Sequence, residues 1–89
     1  MINKETTIQN KTGFHVRPTQ LFIEKANEYK SKIIVKNDSG METDGKSILG
    51  LMTLGLDFGS KIIVQAEGED EETAVNELIS LINSKFGEE

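Results

Sequence analysis

Eighty-nine residues leave room for one small domain around one hydrophobic core. With 36% hydrophobic and 28% charged residues, eight Gly and one Pro, the composition excludes a disordered or fibrous chain, and the absence of Cys excludes a disulfide framework or a thiolate nucleophile. The net charge of −5 is uneven, −7 over residues 66–89 and +2 over residues 1–65, so nucleic acid, which needs a basic stripe and exposed aromatics, is not an expected partner. The longest apolar runs are three residues, such as Ile33-Ile34-Val35, against the ~20 needed to cross a bilayer. The first residues contain no apolar signal core, so the chain is read as a cytoplasmic single domain over residues 1–89, with no membrane insertion.

Residues 2–9 place Ile2, Thr6 and Ile8 on one side of an extended chain, and Thr6-Thr7 favours strand. After Asn10-Lys11-Thr12-Gly13, Pro18 suits a first helical turn. Leu21, Phe22, Ala26 and Tyr29 follow at near-helical spacing, which predicts a helix over residues 17–29. The β-branched run at residues 32–36, the turn residues Asn37-Asp38-Ser39-Gly40 and a short arm at residues 41–44 predict a hairpin. Ser47 then precedes Ile48, Leu49, Leu51 and Met52, a helix of about two turns that Gly50 weakens and Gly55 ends.

Residues 61–65 read as a fourth strand. In the last segment Val75, Leu78, Ile79, Ile82 and Phe86 step by three or four, acids crowd the first turn in keeping with the helix dipole, and Lys85 lies near the end, giving the clearest helix. The order β-α-β-β-α-β-α predicts an α+β open-faced sandwich: one four-stranded, mostly antiparallel sheet with three helices on one face. Ferredoxin-like domains share the first six elements, so the order alone does not identify function.

One His, one Arg and one Pro occur in the whole chain, and all three lie in Gly13-Phe14-His15-Val16-Arg17-Pro18. Gly13 permits an unusual turn, and Pro18 marks a helix whose first N–H groups point back toward His15. No Ser, Thr, Asp or Asn stands just before Pro18 as a conventional cap, so an anion on His15 would meet unsatisfied donors. A neutral imidazole nitrogen is a nucleophile toward phosphorus, and Arg17 supplies a permanent charge suited to phosphate oxygens. On these residues alone, a solvated loop His beside a solvated Arg is the ordinary alternative. Metal binding is not expected, because a single His without Cys cannot close a protein site.

The segment resembles the active-site signature of HPr, the histidine-containing phosphocarrier family of the bacterial sugar phosphotransferase system. Lys46-Ser47-Ile48-Leu49-Gly50-Leu51-Met52 is similar to that family's second signature, and length and element order agree over essentially the whole chain. The resemblance, of the Gram-positive type, implies that His15 takes a phosphoryl group through Nδ1 from phosphorylated enzyme I, charged by phosphoenolpyruvate, and passes it to IIA components of sugar permeases. It implies that Arg17 stabilises the phosphate, that the N–H groups of Val16 and Arg17 donate to it, and that Gly13 and Pro18 set the geometry. No cofactor is implied, nor any turnover by the chain alone; a monomer is expected.

Thr19 departs from the Ala usual in the family, and its hydroxyl is expected to donate to the phosphate or to hinder partner docking slightly, with transfer surviving. Glu24 replaces a basic or neutral residue and is expected to weaken attraction to an acidic surface of enzyme I. Ser47 matches the serine modified by the ATP-dependent HPr kinase/phosphorylase in low-GC Gram-positive relatives, with Ile48, Leu49 and Met52 matching a partner-docking patch. As residues, Ser47 is equally a helix N-cap, and apolar residues at helical spacing equally face a core. Leu51 is assigned to the core, and Ile48 and Met52 to the surface. The alternatives from other classes are a regulatory module acting through phospho-Ser47 on the catabolite control protein, against which the retained His15 speaks, and a nitrogen-related phosphocarrier paralogue.

Overall fold

The fold is described from a computed structural model, which describes residues 1–87; Glu88 and Glu89, counted above among the C-terminal acids, lie outside the described residues. In chain order the elements are β1 (Ile2–Thr7), α1 (Val16–Ala26), β2 (Lys32–Asn37), β3 (Glu42–Asp44), α2 (Ile48–Thr53), β4 (Lys61–Glu67), α3 (Glu71–Asn83) and a short 3-10 turn at Lys85–Gly87. The strands form one sheet in the order β1-β4-β2-β3, and every neighbouring pair is antiparallel.

Alternation writes the sheet. Along β4, Ile62, Val64 and Ala66 are buried while Lys61 and Glu67 are exposed; β2 does the same with Ile33 and Val35. Pairing Val35 with Val64 and Ile33 with Ala66 puts all the inward residues on one face, since side chains along a strand alternate between faces. The helices cover that face, with Phe22 and Ala26 of α1, Leu51 of α2 and Val75, Leu78 and Ile82 of α3 fully buried against it. The other face is left open and carries the ion pairs Lys36–Glu42 and Lys61–Glu5. No helix among the described residues is long and apolar enough to cross a membrane.

Three elements depart from the sequence reading. α1 ends at Ala26, and Tyr29 lies in the turn beyond it, its N–H donating to the Ala26 carbonyl at 3.2 Å. What captures the chain there is Asp70, which accepts from the Lys30 N–H at 2.8 Å, the Ser31 N–H at 3.0 Å and the Ser31 hydroxyl. Asp70 thus joins the entry to β2 with the start of α3, a more specific role for an acid there than complementing the dipole. Strand β1 stops at Thr7, although Ile8 remains fully buried.

The third departure is at the C-terminal end. α3 stops at Asn83, and Lys85 and Phe86 adopt positive φ values of 60° and 55°. Phe86 therefore does not continue the helical stripe; it folds back, 5% exposed, into edge-on contact with Phe14, ring centroids 5.3 Å apart. Periodicity places residue 86 on the buried side in either case, so the sequence reads as a helix that continues through it.

Helix α2 is short and tightly seated. Ser47 caps it, the hydroxyl accepting from the Gly50 N–H at 3.0 Å. Gly50, read from sequence as a weak point, is where the helix comes down on β3: a Cβ there would lie 1.9 Å from Thr43 Oγ1. Its lack of a side chain is what lets the helix approach the sheet.

Candidate functional site

The residues leading into α1 form a turn pinned from two sides. The Asn10 side-chain amide donates to the Gly13 carbonyl at 2.8 Å, and the Gly13 N–H donates to the Asn10 carbonyl at 3.1 Å. Gly13 has φ +60°, and its α-carbon faces the Leu56–Asp57 backbone so closely that a Cβ would sit 2.5 Å from the Leu56 carbonyl oxygen. That same carbonyl accepts from the Phe14 N–H at 2.8 Å. Below the turn, Phe14 is buried between Phe22, 5.4 Å centroid to centroid, and Phe86. The aromatic platform was not assigned to the site from sequence, because it depends on the left-handed turn that returns Phe86.

On this platform His15 is the N-cap of α1, in extended conformation at φ −75° and ψ −176°, and its side chain makes no capping hydrogen bond. The first bond of the helix runs from the Thr19 N–H to the His15 carbonyl at 3.0 Å. Three residues lie between. Val16 and Arg17 have N–H groups with no carbonyl one turn back inside the helix, and Pro18 has none to leave unmatched. The exposed His15 side chain thus stands at the positive end of a helix that offers two backbone donors, with no acid in its first turn to claim them. Arg17 is exposed on the same turn and makes no ion pair among the described residues.

This arrangement suits an exposed group that gains and loses a dianion. A neutral ring nitrogen can act as nucleophile, and the oxygens of a dianion held on it would have the Val16 and Arg17 N–H groups and the Arg17 guanidinium at hand. Phosphoryl transfer asks for little beyond such positioning and charge stabilisation. Thr19 takes no part in receiving the phosphate. It is fully buried, its hydroxyl donating to the Phe14 carbonyl at 3.1 Å and lying 3.6 Å from Met52 Sδ, so the expected donation to phosphate is overturned by burial and a nearer acceptor.

Ser47 is half-buried at the start of α2, and no hydrogen bond joins it to His15 among the described residues. The two helices meet through Thr19 and Met52, and a groove of about 440 Å³ lies between them, lined by Gln20, Ile23, Glu24, Lys46 and Ile48. Lys46 spans its end, Nζ donating to the Tyr29 carbonyl at 2.9 Å. Leu51 is fully buried, whereas Ile48, Leu49 and Met52 are 47%, 74% and 41% exposed, as the sequence reading divided Leu51 from Ile48 and Met52. Val16, 46% exposed on α1, adds to the apolar surface. Phe58, 62% exposed one residue beyond the backbone that cradles Gly13, was not singled out from sequence.

Comparison with known proteins agrees with this geometry. A family model described as the PTS HPr component phosphorylation site matches residues 2–84. The phosphocarrier protein HPr of Borreliella burgdorferi is 48% identical over 84 residues, covering 94% of this chain and 96% of that protein. The crystal structure of HPr-C-His from Thermoanaerobacter tengcongensis is similar with a TM-score of 0.95 and 45% identity, covering 100% of this chain and 99% of that one. The crystal structure of Crh, a Bacillus subtilis catabolite repression protein described as a swapped dimer, is similar with a TM-score of 0.76 and 33% identity over 96% of this chain and 97% of that one.

Proposed function

The chain belongs to the HPr family of phosphocarrier proteins of the phosphotransferase system, and from that premise we propose that His15 is its phosphoryl acceptor and donor. The Nδ1 lone pair attacks the phosphorus carried by enzyme I, the bond to enzyme I breaks as the N–P bond forms, and the reverse exchange delivers the group to a IIA component of a sugar permease. The N–H groups of Val16 and Arg17 and the guanidinium of Arg17 take up the phosphate charge, while Gly13 and Pro18 hold the turn. The observation that carries this reading is a lone exposed His at the uncapped N-terminus of α1, with Arg17 on the same turn. The chain works in the cytoplasm as a one-domain monomer and relays between enzymes without turning over alone.

Ile48, Leu49 and Met52 are assigned to partner docking, and Glu24 in the adjoining groove weakens attraction to an acidic face of enzyme I. Ser47 is assigned as the regulatory site of an HPr kinase/phosphorylase. A phosphate there adds about two negative charges beside the apolar patch while remaining at a helix N-terminus that tolerates it, so it acts on docking rather than on folding. The likeness to Crh supports a second reading, in which phospho-Ser47 presents the chain to the catabolite control protein.

Incubation with phosphoenolpyruvate and a purified bacterial enzyme I tests the first reading. An acid-labile phosphate in the intact mass, absent from His15→Ala, is the expected result. Phosphate appearing only acid-stably on Ser47, with the kinase and ATP, moves the function to the second.

A further inference from the structure

Two of the groups that fix the backbone around His15 come from a single residue, Thr19, in the first turn of α1. Its N–H donates to the His15 carbonyl at 3.0 Å, and its side chain, fully buried, donates from Oγ1 to the Phe14 carbonyl at 3.1 Å. The first contact belongs to any helix, but the second depends on the hydroxyl. Because the peptide group is planar and trans, holding the Phe14 carbonyl also fixes the direction of the His15 N–H on the other side of the same plane, and with the His15 carbonyl held by the Thr19 N–H, little freedom is left in the rotation about the His15 N–Cα bond that aims its side chain. On its other side Phe14 is tied through its N–H to the Leu56 carbonyl at 2.8 Å. The two peptides flanking Phe14 are therefore each held, the Gly13–Phe14 peptide by Leu56 and the Phe14–His15 peptide by the Thr19 hydroxyl.

We propose that Thr19 is a positioning residue for phosphoryl transfer, its buried hydroxyl orienting the Phe14–His15 peptide so that the imidazole stands before the Val16 and Arg17 N–H groups. The inference rests on His15 being the phosphoryl acceptor. Met52 Sδ lies 3.6 Å from the same hydroxyl, which has one proton to give. The carbonyl is the stronger acceptor and the nearer one, so the undisturbed hydroxyl serves the His15 loop. No bond to phosphorus involves Thr19, and the transfer step remains formation and cleavage of the N–P bond on His15.

The test compares Thr19→Val, which keeps the volume and removes the hydroxyl, with Thr19→Ser, which keeps the hydroxyl, and with Thr19→Ala, which covers the case that Val is not accommodated. Each is assayed as substrate of enzyme I, with thermal midpoints measured alongside. Val and Ala lower kcat about fivefold with KM within about twofold of the unmodified chain, and Ser restores kcat to within about twofold. A kcat unchanged in Val and Ala well below their thermal midpoints overturns the positioning role, as does a loss in Ser equal to that in Val. Failure of the unmodified chain to accept phosphate, or a label that survives His15→Ala, overturns the underlying reading and the positioning role with it.

Discussion

Replacing Gly13 by Ala attacks the turn that carries His15, and its cost follows from three separate contacts. The backbone at φ +60° is left-handed, which costs a residue with a Cβ about 1 kcal/mol. The added carbon would lie 2.5 Å from the Leu56 carbonyl oxygen and 2.8 Å from the Asp57 Cα. Both are backbone atoms, so no side-chain rotation relieves the overlap and the turn must lift away. Lifting it loosens the 2.8 Å bond from the Phe14 N–H to the Leu56 carbonyl, worth about 1 kcal/mol net. It also disturbs the packing of Phe14 between Phe22 and Phe86, for about 1 kcal/mol more.

The total is about 3 kcal/mol, a large part of the ~5–15 kcal/mol typical of a domain, and about 15 °C in thermal midpoint for a chain of this size. Urea unfolding at constant m-value reads the stability, and the initial rate of phosphate uptake from enzyme I, well below the midpoint, is expected to fall about tenfold because His15 is displaced. A loss under about 0.5 kcal/mol with an unchanged rate would refute the cradle as the source of the geometry.

Three further outcomes are expected. The Asp70 carboxyl is held below the usual carboxylate range, first by the Ser31 hydroxyl and then by the Lys30 and Ser31 N–H groups. A depressed folded value means stability that is present above the ordinary value near 3.8 and lost as pH falls through the folded one; Asp70→Asn therefore flattens the acid limb of a stability–pH curve followed by circular dichroism. Ser47→Ala, by removing the acceptor for the Gly50 N–H, costs about 1 kcal/mol in urea unfolding, whereas Ser47→Asp keeps the cap and its stability but slows uptake of phosphate from enzyme I. Phe86→Ala costs about 3 kcal/mol, the lower end for a buried Phe because the chain end can partly collapse, and calorimetry should show the lowered midpoint.

Much of this was readable from the chain because the signals were local. The alternation through Ile62, Val64 and Ala66 and the stripe through Val75, Leu78 and Ile82 follow from burying one face of a strand or helix, and the structure buries those residues. His15, Arg17 and Pro18 stood out by being the sole members of their types, and Ser47 by its place before an apolar run. What escaped depends on contacts distant in sequence. The sign of φ at Lys85 and Phe86 has no signature in residues that ordinarily avoid the left-handed region, so a return of the chain looked like one more helical turn. The course of the chain beyond α1 is held by Asp70, forty residues from the Lys30 N–H it accepts from. The burial of the Thr19 hydroxyl is completed by Met52, which reaches it only when α1 and α2 pack together.

The central claim is that the phosphate rests on His15 and leaves again, and a two-step relay tests it most directly. The phosphorylated chain, separated from enzyme I and from phosphoenolpyruvate, is mixed with a purified IIA component. The phosphate is expected to pass to the IIA protein with stoichiometric loss from this chain, and an Arg17→Ala form is expected to transfer more slowly. Phosphate retained on the chain while the IIA component stays unlabelled, with that IIA competent toward another HPr, would contradict the carrier account.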